Sequence, residues 1–289
     1  MTGPRRTGWV QAGLALAALL AAGVAGAKPL GLVATLPPYA MLAEAVAGDG
    51  AEVHLLVRRG HDPHHYEPGS RDRAQLESAD LVIHNGIGAQ HVEQVVRRSG
   101  APRFSVAESV EFDPVRDSSG AINGHIWLDP DIMAAAADAL AQRLAELRPE
   151  AAGAFRQRAA AFRAAVAEAD AVAAAQLSDL PIREVVTYHP GFDYFFRHYD
   201  LEVAGTYLDL RGNEPGPRQV AGLIRTLRDS PIPVLFGEPQ LPPDPIRALA
   251  GEAGVGVAEL DPLGFTEAVT SYPELLRLNA RRIAEAYGE

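Results

Sequence analysis

The chain has 289 residues, of which 47 % are apolar and 22 % charged; it carries a formal net charge of −11 and contains no cysteine. A chain of this length usually exceeds what one hydrophobic core organises, so two domains are expected in an ordinary globular protein. The negative charge, without a basic patch, argues against a nucleic-acid partner. Disulfides are excluded, and no acylated cysteine is available as a lipid anchor.

The first 27 residues have the pattern of a secretory signal peptide. Arg5 and Arg6 precede an apolar run at residues 9–24, and Ala25-Gly26-Ala27 provides small residues for cleavage. The run is too short, and wrongly flanked, for a membrane-spanning helix. We therefore expect a mature protein that lies free in a bacterial periplasm, without a lipid anchor and as a monomer.

Strand and helix patterns then alternate along the chain. The predicted strands lie at residues 30–36, 52–57, 80–84, 184–188, 201–206, 233–236 and 255–260. Predicted helices follow most of them, at residues 39–47, 70–76, 217–228 and 244–252, with a last one ending near residue 286. Such alternation indicates parallel sheets with crossover helices. We predict an α/β fold of two lobes, at residues 28–148 and 179–289, each with a small, mainly parallel sheet flanked by helices.

A long helix is predicted between the two lobes. Residues 131–178 are rich in alanine, and Pro149 divides them into two helices. The second has apolar residues at helical spacing, namely Phe155, Phe162, Val166, Ala169, Ala173 and Leu177. At 1.5 Å per residue this helix, which is expected to end at about Gln176, would span roughly 40 Å, and we place the connecting segment at residues 149–178. We interpret it as an interdomain strut, because sustained heptads of a coiled coil are absent.

Histidine is concentrated in one short segment. Residues 60–68 have the sequence GHDPHHYEP and contain three of the nine histidines. Neutral imidazole is the commonest protein ligand for a borderline metal ion. Three imidazoles so close in sequence cannot all face one ion, so further ligands must come from distant parts of the chain.

Four residues are candidates for a shared metal site. His64 follows the second predicted strand, His125 precedes the helix that Asp129 is expected to cap, and His189 and Asp261 each follow a strand directly. In open parallel sheets, ligands bind beyond the carboxyl ends of the strands. Three imidazoles and one carboxylate would form a four-coordinate shell that Zn²⁺ accepts.

Alternative ligands and an alternative function stay open at this point. His61 and His65 flank His64, and Glu67 is the alternative oxygen ligand; Glu214 and Glu238 precede prolines and are expected to brace loops. A periplasmic zinc hydrolase would need an open coordination position and a nearby acid or base. Four ligands without an HExxH-type helix favour a closed binding site, so we do not expect an enzyme.

Six sequence blocks resemble one protein family. In chain order they are GHDPHHYEP, NGIG, GHIWLDP, TYHPGFDYFF, FGEPQ and ELDPLG. They resemble the signature blocks of the zinc and manganese solute-binding receptors of bacterial ABC importers, the ZnuA/TroA-like group of metal receptors. The resemblance extends from about residue 30 to the C-terminus, and it implies two α/β lobes joined by a single long helix.

The resemblance also implies a function and a ligand set. The matching positions are His64, His125, His189 and Asp261, and the partner is an inner-membrane permease to which the receptor delivers its divalent ion. Manganese-selective members carry glutamate at the position of His189, so imidazole there favours Zn²⁺ over Mn²⁺, and a manganese or iron receptor of the same family is the alternative. Zinc receptors often have a histidine-rich loop before the GHIWLDP block, whereas residues 113–123 are short and lack histidine.

Overall fold

The structure is a computed structural model, and it describes residues 28–58, 60–88, 90–266 and 269–288. The predicted signal peptide, residues 1–27, lies outside the described residues. No helix within the described ranges is long and apolar enough to cross a membrane.

The N-terminal half contains one parallel sheet. Its elements, in chain order, are β1 (Leu30–Ala34), α1 (Pro37–Ala47), β2 (Ala51–Leu55), α2 (Ser70–Ser78), β3 (Leu81–His84), α3 (Gln90–Ser99), β4 (Arg103–Ser105) and the short α4 (Val106–Ser109). The strand order is β2-β1-β3-β4, with all neighbours parallel. The central strands β1 and β3 are short runs of almost entirely buried residues, as expected for strands covered on both faces.

Two helices connect this half to the next. α5 (Pro130–Leu147) begins where predicted, because the side chain of Asp129 accepts hydrogen bonds from the backbone N–H groups of Asp131 and Ile132. Pro130 occupies the first helical position, where its missing N–H has no cost. After a short 3₁₀ turn, α6 (Ala152–Ser178) continues for 27 residues.

The C-terminal half repeats the same topology. Its elements are β5 (Glu184–Thr187), α7 (Asp193–His198), β6 (Glu202–Thr206), α8 (Pro217–Asp229), β7 (Val234–Gly237), α9 (Pro243–Ala253), β8 (Gly256–Glu259) and α10 (Tyr272–Gly288). The strand order is β6-β5-β7-β8, again with all neighbours parallel. The chain therefore adds β6 on one side of β5 and then β7 and β8 on the other side. The position between β5 and β7 is the topological switch point, where open parallel sheets form a ligand-binding crevice.

α6 ties the two halves together. It packs against α1 and α5 and also against α10 of the C-terminal half. Phe155, Phe162 and Val166 on its apolar stripe are buried in one continuous core that includes residues of both halves, while a smaller core lies between α8, α9 and their strands. The predicted α/β class, with two small parallel sheets and one long helix, is confirmed.

Candidate metal centre

His64 lies in a loop that is held by its own residues. Asp62 accepts a hydrogen bond from the backbone N–H of His64 at 2.9 Å, and its other carboxylate oxygen contacts Nδ1 of His65 at 2.7 Å. His64 is half-buried, whereas the side chain of His65 is 70 % exposed. The aspartate thus fixes the turn that directs one histidine inward and leaves the next in solvent.

His125 is held by an asparagine two residues earlier. Oδ1 of Asn123 lies 2.6 Å from Nδ1 of His125 and 3.0 Å from its backbone nitrogen. The amide nitrogen of Asn123 donates to the carbonyl of Pro190 and to the carboxylate of Asp193, so the amide oxygen must be the atom that faces the ring. This network assigns the hydrogen to Nδ1 and leaves the Nε2 lone pair of His125 for a ligand.

His189 lies two residues beyond the carboxyl end of β5. It is 2 % exposed, and its backbone is extended before the 3₁₀ turn that begins at Pro190. Neither ring nitrogen has a hydrogen-bond partner among the described residues. A buried imidazole without partners is costly, and this arrangement indicates a group prepared for a ligand.

The three imidazoles converge. The ring centroids are 5.8 Å apart for His64 and His125, 5.1 Å for His64 and His189, and 4.8 Å for His125 and His189. One nitrogen from each ring lies within 4.8 Å of the other two. Zn–N bonds of about 2.0–2.1 Å place tetrahedral ligands roughly 3.3 Å apart, so small movements would close the rings around one ion.

The electrostatics of the cluster favour the metal-binding form of histidine. Burial, followed by repulsion from His189, lowers the pKa of His64 to about 4. Burial also holds the pKa of His125 well below its usual range, with His189 and His64 as the next causes. Both side chains are therefore neutral at pH 7, with lone pairs free to coordinate a cation.

Asp261, the fourth predicted ligand, lies outside this group of nitrogens. It is fully buried, and its Oδ1 accepts hydrogen bonds from the backbone N–H groups of Leu263, Gly264 and Phe265 at 2.8–3.1 Å. Among the described residues, Oδ2 accepts one hydrogen bond, from the backbone N–H of Thr266 at 2.9 Å. The carboxylate organises the loop after β8, and its role as a ligand stays a prediction.

The alternative ligands of the same loop also lie outside the group of three. His61, His65 and Glu67 are exposed. The ring of His61 instead contacts Tyr66 edge-on, with centroids 6.0 Å apart. Among the residues of this loop, the structure places only His64 with His125 and His189.

The cluster opens into a cleft between the two halves. The cleft has a volume of about 290 Å³ and is lined from both halves, including the three histidines, Asp62, Asp117 and Leu241. Trp127 forms one wall; its ring lies 5.1 Å from that of His125, and its Nε1 donates to the carbonyl of Pro262 at 2.8 Å. This bond connects the segment carrying His125 to the loop after β8.

A second group of possible ligands is already engaged. Asp129, Asp131 and His198 also bring ligand atoms within 4.8 Å of one another. However, Asp129 caps α5, and Nε2 of His198 lies 2.9 Å from a carboxylate oxygen of Asp170. We interpret this group as an ion-pair network between α5, α6 and α7.

Two residues near the histidines were not predicted as part of the site. Asn123 orients His125, as described above, and Glu238 lies against His189, with Oε1 3.4 Å from Nδ1. The sequence contained a signal for Glu238, because it follows β7 directly, the same position type as His189 after β5. It was expected only to brace a loop.

Comparison with known proteins identifies the family of the chain. The profile of the family described as "ZnuA: Zinc-uptake complex component A periplasmic" matches residues 32–286. The chain belongs to this family of extracytoplasmic substrate-binding receptors of metal ABC importers, and it is accordingly a binding protein and not an enzyme.

Individual relatives are similar over nearly the whole chain. The iron-binding protein YfeA of Yersinia pestis is 27 % identical over 91 % of this chain and 88 % of its own length. A zinc-bound deletion mutant of ZnuA has a TM-score of 0.81 with 28 % identity, covering 90 % of this chain and 98 % of that one. FpvC from Pseudomonas aeruginosa, solved with Mn²⁺, has a TM-score of 0.79 with 27 % identity and covers 90 % and 99 %. The family therefore supports a divalent metal ion as the substrate without assigning which one.

Proposed function

We propose that the protein is a periplasmic zinc receptor, which captures Zn²⁺ between its two lobes and delivers it to an inner-membrane ABC permease. The observation that carries this proposal is the convergence of one nitrogen each from His64, His125 and His189. Three neutral imidazoles form a set of borderline ligands that suits Zn²⁺. Asp261 would add an oxygen ligand and a compensating charge through Oδ2, which accepts a single hydrogen bond among the described residues.

His189 supports zinc over manganese. Mn²⁺ favours oxygen ligands, whereas the histidine cluster offers only nitrogen. The relatives named above were described with iron, zinc and manganese, so their names do not decide between these ions. A manganese or iron receptor is the alternative within the same family.

The predicted signal peptide and the absence of cysteine support a location free in the periplasm.

The domain limits that we propose are 28–148 for the first lobe, 149–178 for the connecting helix and 179–289 for the second lobe. Since α6 packs against helices of both lobes, we expect small movements on metal binding and no wide hinge opening.

Metal analysis of the purified mature protein tests the proposal. We expect one tightly bound Zn²⁺ per chain, and in competition with equal concentrations of Mn²⁺ and Fe²⁺ we expect zinc to be retained. Preferential retention of manganese or iron would make the chain the alternative receptor. Solution scattering with and without Zn²⁺ tests the expected movement, and a large change in the radius of gyration would contradict it.

A further inference from the structure

Glu238 has a buried carboxylate, and one of its two oxygens lacks a hydrogen-bond partner among the described residues. Its side chain is 3 % exposed and follows β7 at the edge of the C-terminal sheet that faces the cleft. Oε2 accepts a hydrogen bond from the side-chain amide of Gln240, whereas Oε1 has no hydrogen-bond partner among the described residues. Burying an unpaired carboxylate oxygen costs free energy, so the position requires a reason.

The nearest group that could satisfy this oxygen is His189. Oε1 of Glu238 lies 3.4 Å from Nδ1 of His189, and that nitrogen also lacks a hydrogen bond. The strands that carry the two residues, β5 and β7, are neighbours in the sheet. The two residues therefore lie just beyond the carboxyl ends of adjacent strands, at the topological switch point of the sheet.

A glycine leaves the space for this approach. A Cβ atom on Gly191 would lie 3.0 Å from Oε1 of Glu238 and 3.2 Å from Nδ1 of His189. Both distances are tighter than ordinary van der Waals contact, so a side chain at this position would push against the pair. The local sequence His-Pro-Gly thus allows the carboxylate and the imidazole to meet.

We propose that Glu238 is a positioning residue for the metal centre: its Oε1 accepts the Nδ1–H of His189 and so presents the Nε2 lone pair to the ion. This inference rests on the proposed function, since it concerns the same site. An ion on Nε2 makes the Nδ1–H more acidic, so we expect the 3.4 Å contact to shorten on binding. A carboxylate behind a ligating imidazole fixes its tautomer and raises its basicity.

The residue that orients His189 differs in charge from the residue that orients His125. Asn123 orients His125 through a neutral amide oxygen, at 2.6 Å from Nδ1. Glu238 would orient His189 in the same way and add a negative charge beside a set of three neutral ligands. A dication gains from that charge, so Glu238 is expected to contribute more to metal affinity than Asn123 does.

Competition against a chromophoric chelator, with Zn²⁺ alone and the mature protein, tests the affinity. We expect Glu238→Ala to weaken Zn²⁺ binding by about 10- to 100-fold. Glu238→Gln should recover part of the loss, because an amide oxygen can accept the same N–H without the charge. The matched control is Glu93→Gln, which alters a buried carboxylate 2.7 Å from Nδ1 of His84, and it should leave zinc affinity unchanged.

Long-range ¹H–¹⁵N correlation NMR of the metal-free protein separates positioning from general stability. With the resonances assigned from a His189→Ala variant, His189 should be in the Nδ1–H tautomer in the wild type and in a mixture of tautomers in Glu238→Ala. The tautomer of His125, which Asn123 fixes, should not change. If Glu238→Ala does not fold, the zinc affinity of Glu238→Gln decides the matter: we expect the Nδ1–H tautomer of His189 to be retained and the affinity to fall at least about threefold for the removed charge, and wild-type affinity in this variant would contradict the role.

Wild-type zinc affinity in Glu238→Ala, or a His189 that stays in the Nδ1–H tautomer in that variant, would overturn the positioning role. Loss of an oxygen ligand from the coordination shell of the variant, measured by X-ray absorption, would instead make Glu238 a direct ligand and also overturn it. If His189→Ala itself binds Zn²⁺ as tightly as the wild type, the proposed function fails at this site. That result is distinct from a failure of Glu238 alone.

Discussion

The two segments of the N-terminal half that supply histidines to the metal centre are held in opposite ways. The segment of residues 113–131, which carries His125, is bonded to the C-terminal half: the hydroxyl of Tyr194 donates to the carbonyl of Asn123, and the hydroxyl of Tyr272 donates to that of Trp127. The described hydrogen bonds of residues 60–68, which carry His64, stay within residues 58–73.

This difference separates the predicted histidine ligands into a fixed pair, His125 and His189, and one adjustable ligand, His64. His125 and His189 are both buried, and their rings are the closest of the three pairs. His64 is half-buried and depends on a local turn around Asp62. We infer that the fixed pair receives the ion and that the loop of residues 60–68 completes the shell, with little movement of the lobes.

The largest expected effect comes from removing one imidazole from either segment. We expect His125→Ala and His64→Ala each to weaken Zn²⁺ binding by more than about 100-fold, beyond the loss typical of an outer-shell partner. The two variants should differ without metal. His125→Ala empties a buried position and should lower the free energy of unfolding by about 1–3 kcal/mol, whereas His64→Ala should lower it by less than about 1 kcal/mol.

Chelator competition and chemical denaturation of the metal-free proteins measure these two effects. The control is His198→Ala, which removes a histidine from the ion-pair network on α7 and should keep one tight Zn²⁺ per chain. Equal destabilisation by His64→Ala and His125→Ala would remove the distinction between the two segments. Loss of zinc in the His198 variant would move the site to the other group of residues.

Asp261→Asn should have a smaller effect on affinity and a clear one on stability. The amide oxygen of an asparagine can accept the three hydrogen bonds that Oδ1 now accepts. Its amide nitrogen would then replace Oδ2 and face the N–H of Thr266, so that two donors oppose each other. We expect a loss of about 1–3 kcal/mol in unfolding free energy. If Asp261 is also a ligand, zinc affinity falls by about tenfold or more; a stability loss with unchanged affinity would leave it a loop residue only.

The sequence predicted the fold well where an element has a buried apolar run or a clear cap. Asp129 and Pro130 located the start of α5, and the apolar stripe of residues 155–177 located α6. It missed α3 and β4, because β4 has only three residues and α3 has a largely polar surface. The first helix was predicted to begin at residue 39, yet Pro37 and Pro38 already form the first turn of α1, where proline is tolerated.

The site could be predicted only to the level of residue type and strand end. His64 and His189 after strands, and His125 before a helix, were expected to converge, and the structure does bring the three together. What surrounds each ring depends on tertiary contacts that have no local pattern. Asn123 and Glu238 lie near their histidines because of a turn and a neighbouring strand, and the orientation of Asp261 follows from four backbone N–H groups of its own loop.

Acidification should affect the metal-free protein in a defined direction. The pKa of His64 is lowered to about 4 and that of His125 well below its usual value, while unfolded histidine titrates near about 6.5. Between these values the unfolded chain binds more protons than the folded one, so stability falls as the pH falls. For the same reason, we expect zinc capture to persist at about pH 5 and to be lost towards about pH 4.

Thermal unfolding of the metal-free protein between about pH 7 and pH 4.5 measures this dependence. The variant His64→Ala/His125→Ala lacks both groups and should show a shallower slope than the wild type. Stability that rises on acidification, or an equal slope in the double variant, would show that these histidines do not control the dependence.

The smallest expected effect tests which histidine of the loop is used. The side chain of His65 is 70 % exposed, and its Nδ1 contacts Oδ2 of Asp62, while the turn itself depends on Oδ1 of the same aspartate. His65→Ala should therefore leave the turn intact and change zinc affinity by less than about threefold, an exposed ion pair being worth less than about 1 kcal/mol. If His65→Ala abolished binding while His64→Ala had no effect, the turn would have to reverse around Asp62, and His65 would be the adjustable ligand.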